Sequence, residues 1–428
     1  MAFDPQARKR QRQEMAEKRR EATRRKKKLL IRLGIAGAVL LVCLIVILLL
    51  PKGDAPSQPA ATQPVQTQPS EQPEQTEETQ QTEETQPAET VLHLVFGGDL
   101  NITDRVVASG SNGNDFSQTF VDVAPLFADA DIAALNLEGL LADAPYGSAT
   151  GSAPNSLATA LSRAGVDVLQ LANSCSLNRG LSGLSTTIDN VRQAGMQPLG
   201  VRKSGSREHS FVIFEIQGVR IAYVAMTKGM DGMTLPQGSE GSVDLLYTDY
   251  DKMYQDVDEA SIRTLMTQVN SYNPDITVAM LHWGSKLNDT ISKSQEQIIS
   301  LLQSSGVDAI VGTHPHYVQK MVFDPQAGTF VAYSLGDLLG DATDAGTEYS
   351  VILDLELTRN NTTGHTRITN YSYTPIFTVN EPGKPLRVVR INDTMAAYDS
   401  HYLEAVSAAT YDAMKYALER IEARISGS

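Results

Sequence analysis

The chain has 428 residues, 41% hydrophobic and 20% charged, a composition that excludes a wholly disordered or fibrous protein. Its charge is uneven, since residues 1–32 hold 13 Lys and Arg against 4 Asp and Glu, whereas residues 91–428 hold 22 against 38, a net of about −16. Because the phosphate backbone favours clustered Lys and Arg, a nucleic-acid partner is not expected. The two cysteines, Cys43 and Cys175, cannot form a disulfide framework within the acidic part, and they do not indicate the redox compartment.

Residues 33–50 are 18 consecutive residues without a charge, and as a helix they would rise ~27 Å, close to the thickness of a bilayer core. The basic residues of segment 1–32 precede them, so the positive-inside rule predicts a single-pass cell-membrane protein with a cytoplasmic N-terminus and an extracytoplasmic domain. A cleaved signal peptide is the alternative. The long basic leader and the lack of a small-x-small cleavage site after Leu50 favour the anchor.

Residues 51–90 are a predicted disordered linker, because Gln, Glu, Thr and Pro supply 30 of the 40 positions. It could be a spacer across a cell wall or a simple connection.

From Val91 onward, short apolar runs alternate with helix-period segments, which indicates an α/β domain over 91–395. The predicted strands include Val91–Phe96, Ile132–Leu135, Val166–Leu171, a hairpin of Phe211–Ile216 and Val219–Met226, Ile276–Leu281 and Val307–Val311. Strands dominate 318–377, and segment 396–428 is predicted to contain one amphipathic helix, from Tyr398 to Ile425.

Polar residues with metal-binding side chains follow several of these strands. They are Asp99, Glu138, Asn173, His282, His314 and His316. Ligands bind at the carboxyl edge of α/β sheets, and carboxylates with imidazoles suit Mn²⁺, Fe²⁺ or Zn²⁺, two of which can clamp a phosphoryl group. A single Asp or Asn at a strand end is more commonly a turn or cap residue, and His282 could simply pack beside Trp283. Three of the seven histidines at two successive strand ends favour a site.

The motifs in their order resemble the CapA, or poly-gamma-glutamate capsule biosynthesis, family, which is related to the calcineurin-like metallophosphoesterases. They are Gly98-Asp99, Asn136-Leu137-Glu138-Gly139, Leu171-Ala172-Asn173, His282-Trp283-Gly284, Gly312-Thr313-His314-Pro315-His316 and Tyr333-Ser334-Leu335-Gly336. The resemblance implies a four-layer fold, two mixed sheets face to face between helices, with a dimetal site at one edge. It assigns metal to Asp99, Glu138, His282, His314 and His316, and substrate positioning to Asn173. It also implies work on an anionic envelope polymer, with membrane polymer-synthase subunits as candidate partners.

The departures from the family pattern lie close to this site. Ser174 and Cys175 replace an Asn-His pair that supplies a metal ligand and a proton donor in related phosphoesterases, Lys286 replaces a Glu, Thr313 a His, and Asp337 an Asn. Loss of a positioned general acid costs roughly 10²- to 10⁴-fold in rate. Hydrolysis could therefore be weakened or abandoned, leaving a pseudo-enzyme. Alternatively, Cys175, as a site residue, and Asp337 could re-form a metal site.

Two further interpretations stay open at this point. Family activity could persist with tolerant ligands, and Cys175 could be only a small buried residue. A purely structural stalked adhesin would explain the anchor and the linker but not the ordered motifs. An acidic domain that handles a polyanion would also need bound cations or a local basic patch.

Overall fold

The computed structural model describes residues 88–110, 115–400 and 406–427. The predicted cytoplasmic segment 1–32, transmembrane helix 33–50 and nearly all of the linker lie outside these ranges. Within them, no helix combines the length and the hydrophobicity needed to cross a membrane. The first strand begins at Glu89, so the last two residues assigned to the linker belong to the sheet.

The described residues form fourteen strands and nine helices. The strands are β1 (Glu89–Asn101), β2 (Ile132–Glu138), β3 (Val168–Gln170), β4 (Gln197–Leu199), β5 (Val212–Ile216), β6 (Val219–Thr227), β7 (Ile276–His282), β8 (Ala309–Thr313), β9 (Met321–Asp324), β10 (Thr329–Ala332), β11 (Asp337–Leu339), β12 (Tyr349–Asn360), β13 (Thr366–Val379) and β14 (Arg387–Arg390). The helices are α1 (Asp104–Ser109), α2 (Ser117–Phe120), α3 (Ala124–Ala128), α4 (Ser156–Ala164), α5 (Gly180–Gln193), α6 (Glu259–Asn270), α7 (Lys293–Ser304), α8 (Ile391–Asp399) and α9 (Ala408–Ser426).

Two mixed sheets carry the fold, as the family resemblance implies. The first sheet has the order β14-β13-β12-β1-β2-β3-β4, with β11 paired in parallel to the end of β1. The second sheet has the order β5-β6-β7-β8-β10-β9. Each sheet has four consecutive parallel strands, β1-β2-β3-β4 in the first and β6-β7-β8-β10 in the second. Antiparallel strands pair with β1 in the first sheet and with both β6 and β10 in the second.

The hydrophobic residues form three clusters that separate four layers. One cluster lies between the sheets and includes Phe96 and Tyr223, whose ring centroids are 6.2 Å apart. A second packs α4 and α5 against the first sheet, with Leu161 among its buried residues, and a third packs α6 and α7 against the second sheet, around Ile298. Because layers cover both faces of each sheet, β2 and β7 are buried along their whole length.

The C-terminal segment contains two helices where the apolar pattern predicts one. Helix α8 ends at Asp399, and α9 begins after Ser407, whose hydroxyl accepts a hydrogen bond from the Thr410 amide. This N-cap explains why a new helix starts there. Met414 and Ile421 of α9 are buried in the cluster between the sheets, so the last helix contributes to the central core.

Strand β1 runs to Asn101, five residues beyond its predicted end. The extension exists because β2 and β11 both pair with β1 at Asp99. The Asp99 amide donates to the Gly336 carbonyl at 3.0 Å, and a Cβ atom on Gly98 would lie 1.8 Å from that same oxygen. Glycine at position 98 therefore permits the close crossing that places Asp99 beside Asp337.

Candidate metal centre

Strand register aligns polar residues at the carboxyl edge of both sheets. In the first sheet, Asp99 is opposite both Asn136 of β2 and Asp337 of β11. In the second, His282 of β7 is opposite Thr313 of β8. Hydrogen bonds join the two edges, because the His314 amide donates to Asp99 Oδ2 at 2.8 Å. The candidate site thus lies where the two sheets meet.

The six residues predicted as metal ligands lie together in two groups of three. The first ligand group is Glu138, His282 and His314, and the second ligand group is Asp99, His316 and Asp337. Within each group, one ligand atom from every residue lies within 4.8 Å of the others, and all six residues are buried. The groups adjoin, since His316 Nε2 is 3.7 Å from Glu138 Oε2.

The first ligand group contains three buried polar atoms without a hydrogen-bond partner. They are Glu138 Oε2, His282 Nε2 and His314 Nδ1. Buried polar atoms are almost always satisfied, so three unpaired atoms in one group need an explanation. One carboxylate and two imidazoles are ligands that Zn²⁺, Mn²⁺ and Fe²⁺ accept in proteins. The donor set of this group therefore fits a divalent metal ion.

The second ligand group is already hydrogen-bonded. Asp99 Oδ1 accepts from Asn136 Nδ2 at 2.6 Å, and His316 Nδ1 is 2.8 Å from Asp337 Oδ1. The side-chain amide of Asn101 also lies 3.3 Å from His316 Nδ1. A metal ion here would replace existing contacts, whereas in the first ligand group it would satisfy unpaired atoms.

Burial and neighbouring charges set the protonation of these groups. Burial, aided by nearby positive groups, holds the pKa of His282 and of His314 well below the usual range, so both imidazoles are neutral and can donate a lone pair. Burial opposes the charged form of His316, but the attraction of Asp337, Glu138 and Asp99 outweighs it and raises the pKa of His316 to about 10. Burial and the neighbouring Glu138 raise the pKa of Asp99 to about 7.

The histidine loop after β8 has an unusual backbone. His314 has φ 95° and His316 has φ 60°, in the left-handed region that residues with a Cβ seldom adopt. Such conformations cost of order 1–3 kcal/mol each and persist only where the surroundings enforce them. The hydrogen bonds from the His314 amide to Asp99 and from His316 Nδ1 to Asp337 hold the loop in this form.

Asn173, which the resemblance assigns to substrate positioning, is fully engaged within the protein. Its Nδ2 donates to Asn136 Oδ1 at 3.0 Å and to the Leu137 carbonyl at 2.6 Å, while its Oδ1 accepts from the Cys175 amide. Asn136 in turn holds Asp99. Through Asn136, Asn173 therefore supports Asp99, a residue of the second ligand group.

Ser174 and Cys175 occupy different positions relative to the ligand groups. The Ser174 hydroxyl donates to Glu138 Oε1 at 2.6 Å, and Cys175 Sγ lies 3.7 Å from that hydroxyl. Among the described residues, neither ligand group includes Cys175. Burial and the nearby Glu138 raise the pKa of the Cys175 thiol to about 12, which keeps it protonated and a poor ligand at neutral pH.

Two lysines lie on the Glu138 side of the site. Lys286 Nζ is 3.8 Å from Glu138 Oε1, and Lys228 Nζ donates to the Gly284 carbonyl at 2.7 Å while lying 4.3 Å from the centre of the Tyr254 ring. Burial and the Lys286 charge lower the pKa of Lys228. Burial also opposes the charge of Lys286, but Glu138 and Asp231 attract it and raise its pKa.

Sequence reasoning assigned no site role to several of these residues. Asn136 lies inside the motif Asn136-Leu137-Glu138-Gly139, and its position at a strand end was the available signal. Lys228 directly follows β6, which ends at the same sheet edge as β7, so the strand-end criterion would also have found it. The contact of Asn101 with His316 depends on the extension of β1 and had no such signal.

The arrangement of these residues suits the binding of an oxyanion. A divalent ion held by the first ligand group would act as a Lewis acid toward a phosphoryl or carbonyl oxygen. Lys286 places a positive charge next to this group, and Asn173 and Asn136 keep Asp99 oriented. A phosphoesterase proton donor would be expected at position 175, where a thiol of such high pKa transfers a proton poorly.

Two CapA proteins from Bacillus species align with 49% and 64% of this chain. "Capsule biosynthesis protein CapA" of Bacillus anthracis is 27% identical over 212 residues, which cover 49% of this chain and 49% of that protein. "PGA biosynthesis protein CapA" of Bacillus subtilis (strain 168) is 24% identical over 285 residues, 64% of this chain and 70% of that protein. The chain thus spans about half the length of the first relative.

Among solved structures, the calcineurin-like phosphoesterase YfkN from Bacillus subtilis aligns with a TM-score of 0.41 and 14% identity, covering 77% of this chain and 99% of that one. The model of the family described as bacterial capsule synthesis protein PGA_cap matches residues 93–342, more than half of the chain and the whole span of the two ligand groups. The chain therefore belongs to the PGA_cap family of bacterial capsule synthesis proteins.

Proposed function

We propose that the chain acts in the synthesis, export or attachment of an anionic cell-envelope polymer, poly-gamma-glutamate or capsule, through a metal-binding cleft with little or no hydrolytic activity. Family membership supports the polymer role, because both curated relatives are named for capsule or PGA biosynthesis. Segment 33–50 would anchor the chain in the cell membrane and place the domain outside, where such a polymer is handled.

One observation carries the proposal of weak hydrolysis. The residue at the proton-donor position is Cys175, and burial raises its thiol pKa to about 12. The six ligand residues are nevertheless assembled and buried. The cleft therefore keeps the means to bind a metal and an anion while it lacks an effective general acid.

A metal-dependent phosphodiesterase assay tests this proposal. With Mn²⁺ and bis(p-nitrophenyl) phosphate, we expect the wild-type chain to stay near background and the variant Ser174→Asn/Cys175→His to gain roughly 10²- to 10⁴-fold. His314→Ala in the double variant should abolish the gain. Strong wild-type hydrolysis that His314→Ala removes would contradict the proposal.

The polymer role needs a separate test in the cell that makes this chain. Deletion of its gene should lower the surface-attached anionic polymer, and the full chain should restore it. The Cys175→Ala variant should restore it equally, because the proposal gives the thiol no chemical step. Unchanged polymer in the deletion strain would contradict the role.

A second candidate is an active hydrolase with a re-formed metal site. Its support is Asp337, which replaces a neutral residue of the family pattern and lies in the second ligand group, 2.8 Å from His316 Nδ1. An added carboxylate would increase the affinity of that group for a cation. For Cys175 to participate in such a site, its thiol would have to lose a proton. The phosphodiesterase assay of the wild-type chain distinguishes the two candidates.

A further inference from the structure

We infer that Lys228 and Lys286 form a subsite that binds an oxyanion, a carboxylate or a phosphate group, beside the first ligand group. This inference deepens the proposed function and rests on it for the choice of ligand. Lys228 follows the end of β6, and Lys286 lies four residues after His282, the last residue of β7. These strands are adjacent and parallel, so the two lysines leave the same edge of the second sheet.

The Lys228 ammonium group is held in place without a close carboxylate, and the Lys286 ammonium group has a single long contact with one. Lys228 donates to the Gly284 carbonyl and lies over the Tyr254 ring, which fixes its position. Within the described ranges, no carboxylate approaches its Nζ to 4.0 Å. Lys286 has one such contact, 3.8 Å to Glu138 Oε1, an atom that already accepts the Ser174 hydroxyl. N–H donors on both lysines are therefore available to a ligand.

The electrostatic surroundings favour an anion between these groups. The two lysines repel each other, and the exposed Asp231 is the carboxylate that attracts both. Glu138, the other nearby acid, has its Oε2 directed into the first ligand group. If a metal ion engaged Glu138, the lysines would keep a net positive charge at the cleft, and an oxyanion would relieve their repulsion.

This pair of lysines also explains how an acidic domain could bind an anionic polymer. Residues 91–428 carry a net charge of about −16, from 22 Lys and Arg against 38 Asp and Glu, which repels a polyanionic partner. The two lysines place a local positive charge beside the two ligand groups of this negatively charged domain. It would let an acidic domain hold one anionic group of a long polymer at a defined place.

Calorimetry on the full 428-residue chain in detergent tests the inference. Inorganic phosphate and a γ-linked glutamate oligomer serve as separate probes, each with metal-free protein and with Mn²⁺-loaded protein. Lys228→Gln and Lys286→Gln should each weaken binding of at least one probe by about 10-fold, the loss expected for one hydrogen bond to a charged group. Lys252→Gln is the matched control. Lys252 lies, like Lys228, in the segment between β6 and α6, and its side chain is 72% exposed.

The probes and variants separate the outcomes. Lysine dependence for phosphate alone or for the oligomer alone identifies the source of the anion and supports the subsite. Lys228→Arg and Lys286→Arg should keep binding and show that a Gln variant fails through charge, not through folding. Equal binding by wild type and both Gln variants, or no binding of either probe to wild type, would overturn the subsite.

The comparison of metal-free with Mn²⁺-loaded protein distinguishes failure of the subsite from failure of the proposed function. Binding that depends on Mn²⁺ but not on the lysines overturns the subsite and leaves the metal cleft. Binding that depends on the lysines, in a chain that takes up no metal, supports the subsite and contradicts the metal part of the proposed function.

Discussion

The Ser174 hydroxyl donates a 2.6 Å hydrogen bond to Glu138 Oε1, so Ser174 holds a residue of the first ligand group in place. Glu138 Oε2 is thereby left to face the first ligand group without a partner. Outer contacts of this kind set the orientation of metal ligands.

Ser174→Ala should weaken divalent-metal binding by roughly 10- to 100-fold, since it frees the Glu138 carboxylate to rotate. Competition with a chromogenic chelator measures the change in affinity. The exposed Ser204→Ala is the control for loss of a serine hydroxyl and should bind metal as wild type does. Equal affinities in Ser174→Ala and wild type would show that the hydrogen bond does not orient the ligand.

Cys175 should react slowly with iodoacetamide. A thiol pKa of about 12 leaves little thiolate at pH 8, so its alkylation should be on the order of 100-fold slower than that of an exposed cysteine. The rate should rise about tenfold per pH unit up to the pKa. Mass spectrometry in a Cys43→Ser background isolates this thiol, with Cys43→Ser/Cys175→Ser as the blank. Rapid labelling at pH 7 would be inconsistent with a half-buried, protonated thiol.

Asp244 should make the domain less stable as the pH rises. Burial outweighs the stabilising contacts of Ser210 and Arg202 and raises the pKa of Asp244 from 3.8 to about 7, and its Oδ2 has no hydrogen-bond partner. The folded state then binds a proton that the unfolded chain releases, so the unfolding free energy falls between about pH 4 and pH 7.

Asp244→Asn removes this titration and should stabilise the protein above pH 7 by up to roughly 4 kcal/mol, about 1.4 kcal/mol for each unit of the pKa shift. Urea unfolding at pH 5 and pH 8 measures the difference. The exposed Asp143→Asn should keep the wild-type pH dependence. An identical fall in stability for Asp244→Asn and wild type would refute the assignment.

Gly98→Ala should destabilise the protein and disrupt the metal centre. Its Cβ would lie 1.8 Å from the Gly336 carbonyl oxygen, a backbone atom that cannot turn aside. Overpacking costs about 1–3 kcal/mol, and a clash with backbone places this variant at or above the upper end. Gly97→Ala is a matched neighbour whose Cβ would approach only side chains, the nearest at 3.2 Å. Similar urea midpoints for the two variants would contradict the close crossing.

The sequence predicts the strands well because they depend on local pattern. The apolar run Ile276–Leu281 followed by His282 indicates a buried strand with a polar end, and the structure has β7 there. Family membership, which ordered motifs indicate, is confirmed over residues 93–342. The prediction of two mixed sheets is also confirmed.

Contacts between distant elements could not be predicted. The end of β1 depends on β11, more than 230 residues later, so Asp99 lies within a strand and not after it. The pairing of Asn173 with Asn136, which supports Asp99, depends on how the segment after β3 packs against β2. Likewise, the thiol pKa of Cys175 follows from burial that no spacing of residues reports.

Metal content tests the central claim, that the altered site still assembles a metal centre. The full chain is equilibrated with Mn²⁺ or Zn²⁺, transferred to metal-free buffer and measured by elemental mass spectrometry. We predict at least one ion per chain, lost in His314→Ala and retained in His209→Ala, a control histidine on the exposed surface. A folded wild-type chain that retains neither metal would contradict the account and leave the cleft as a binding surface without a metal ion.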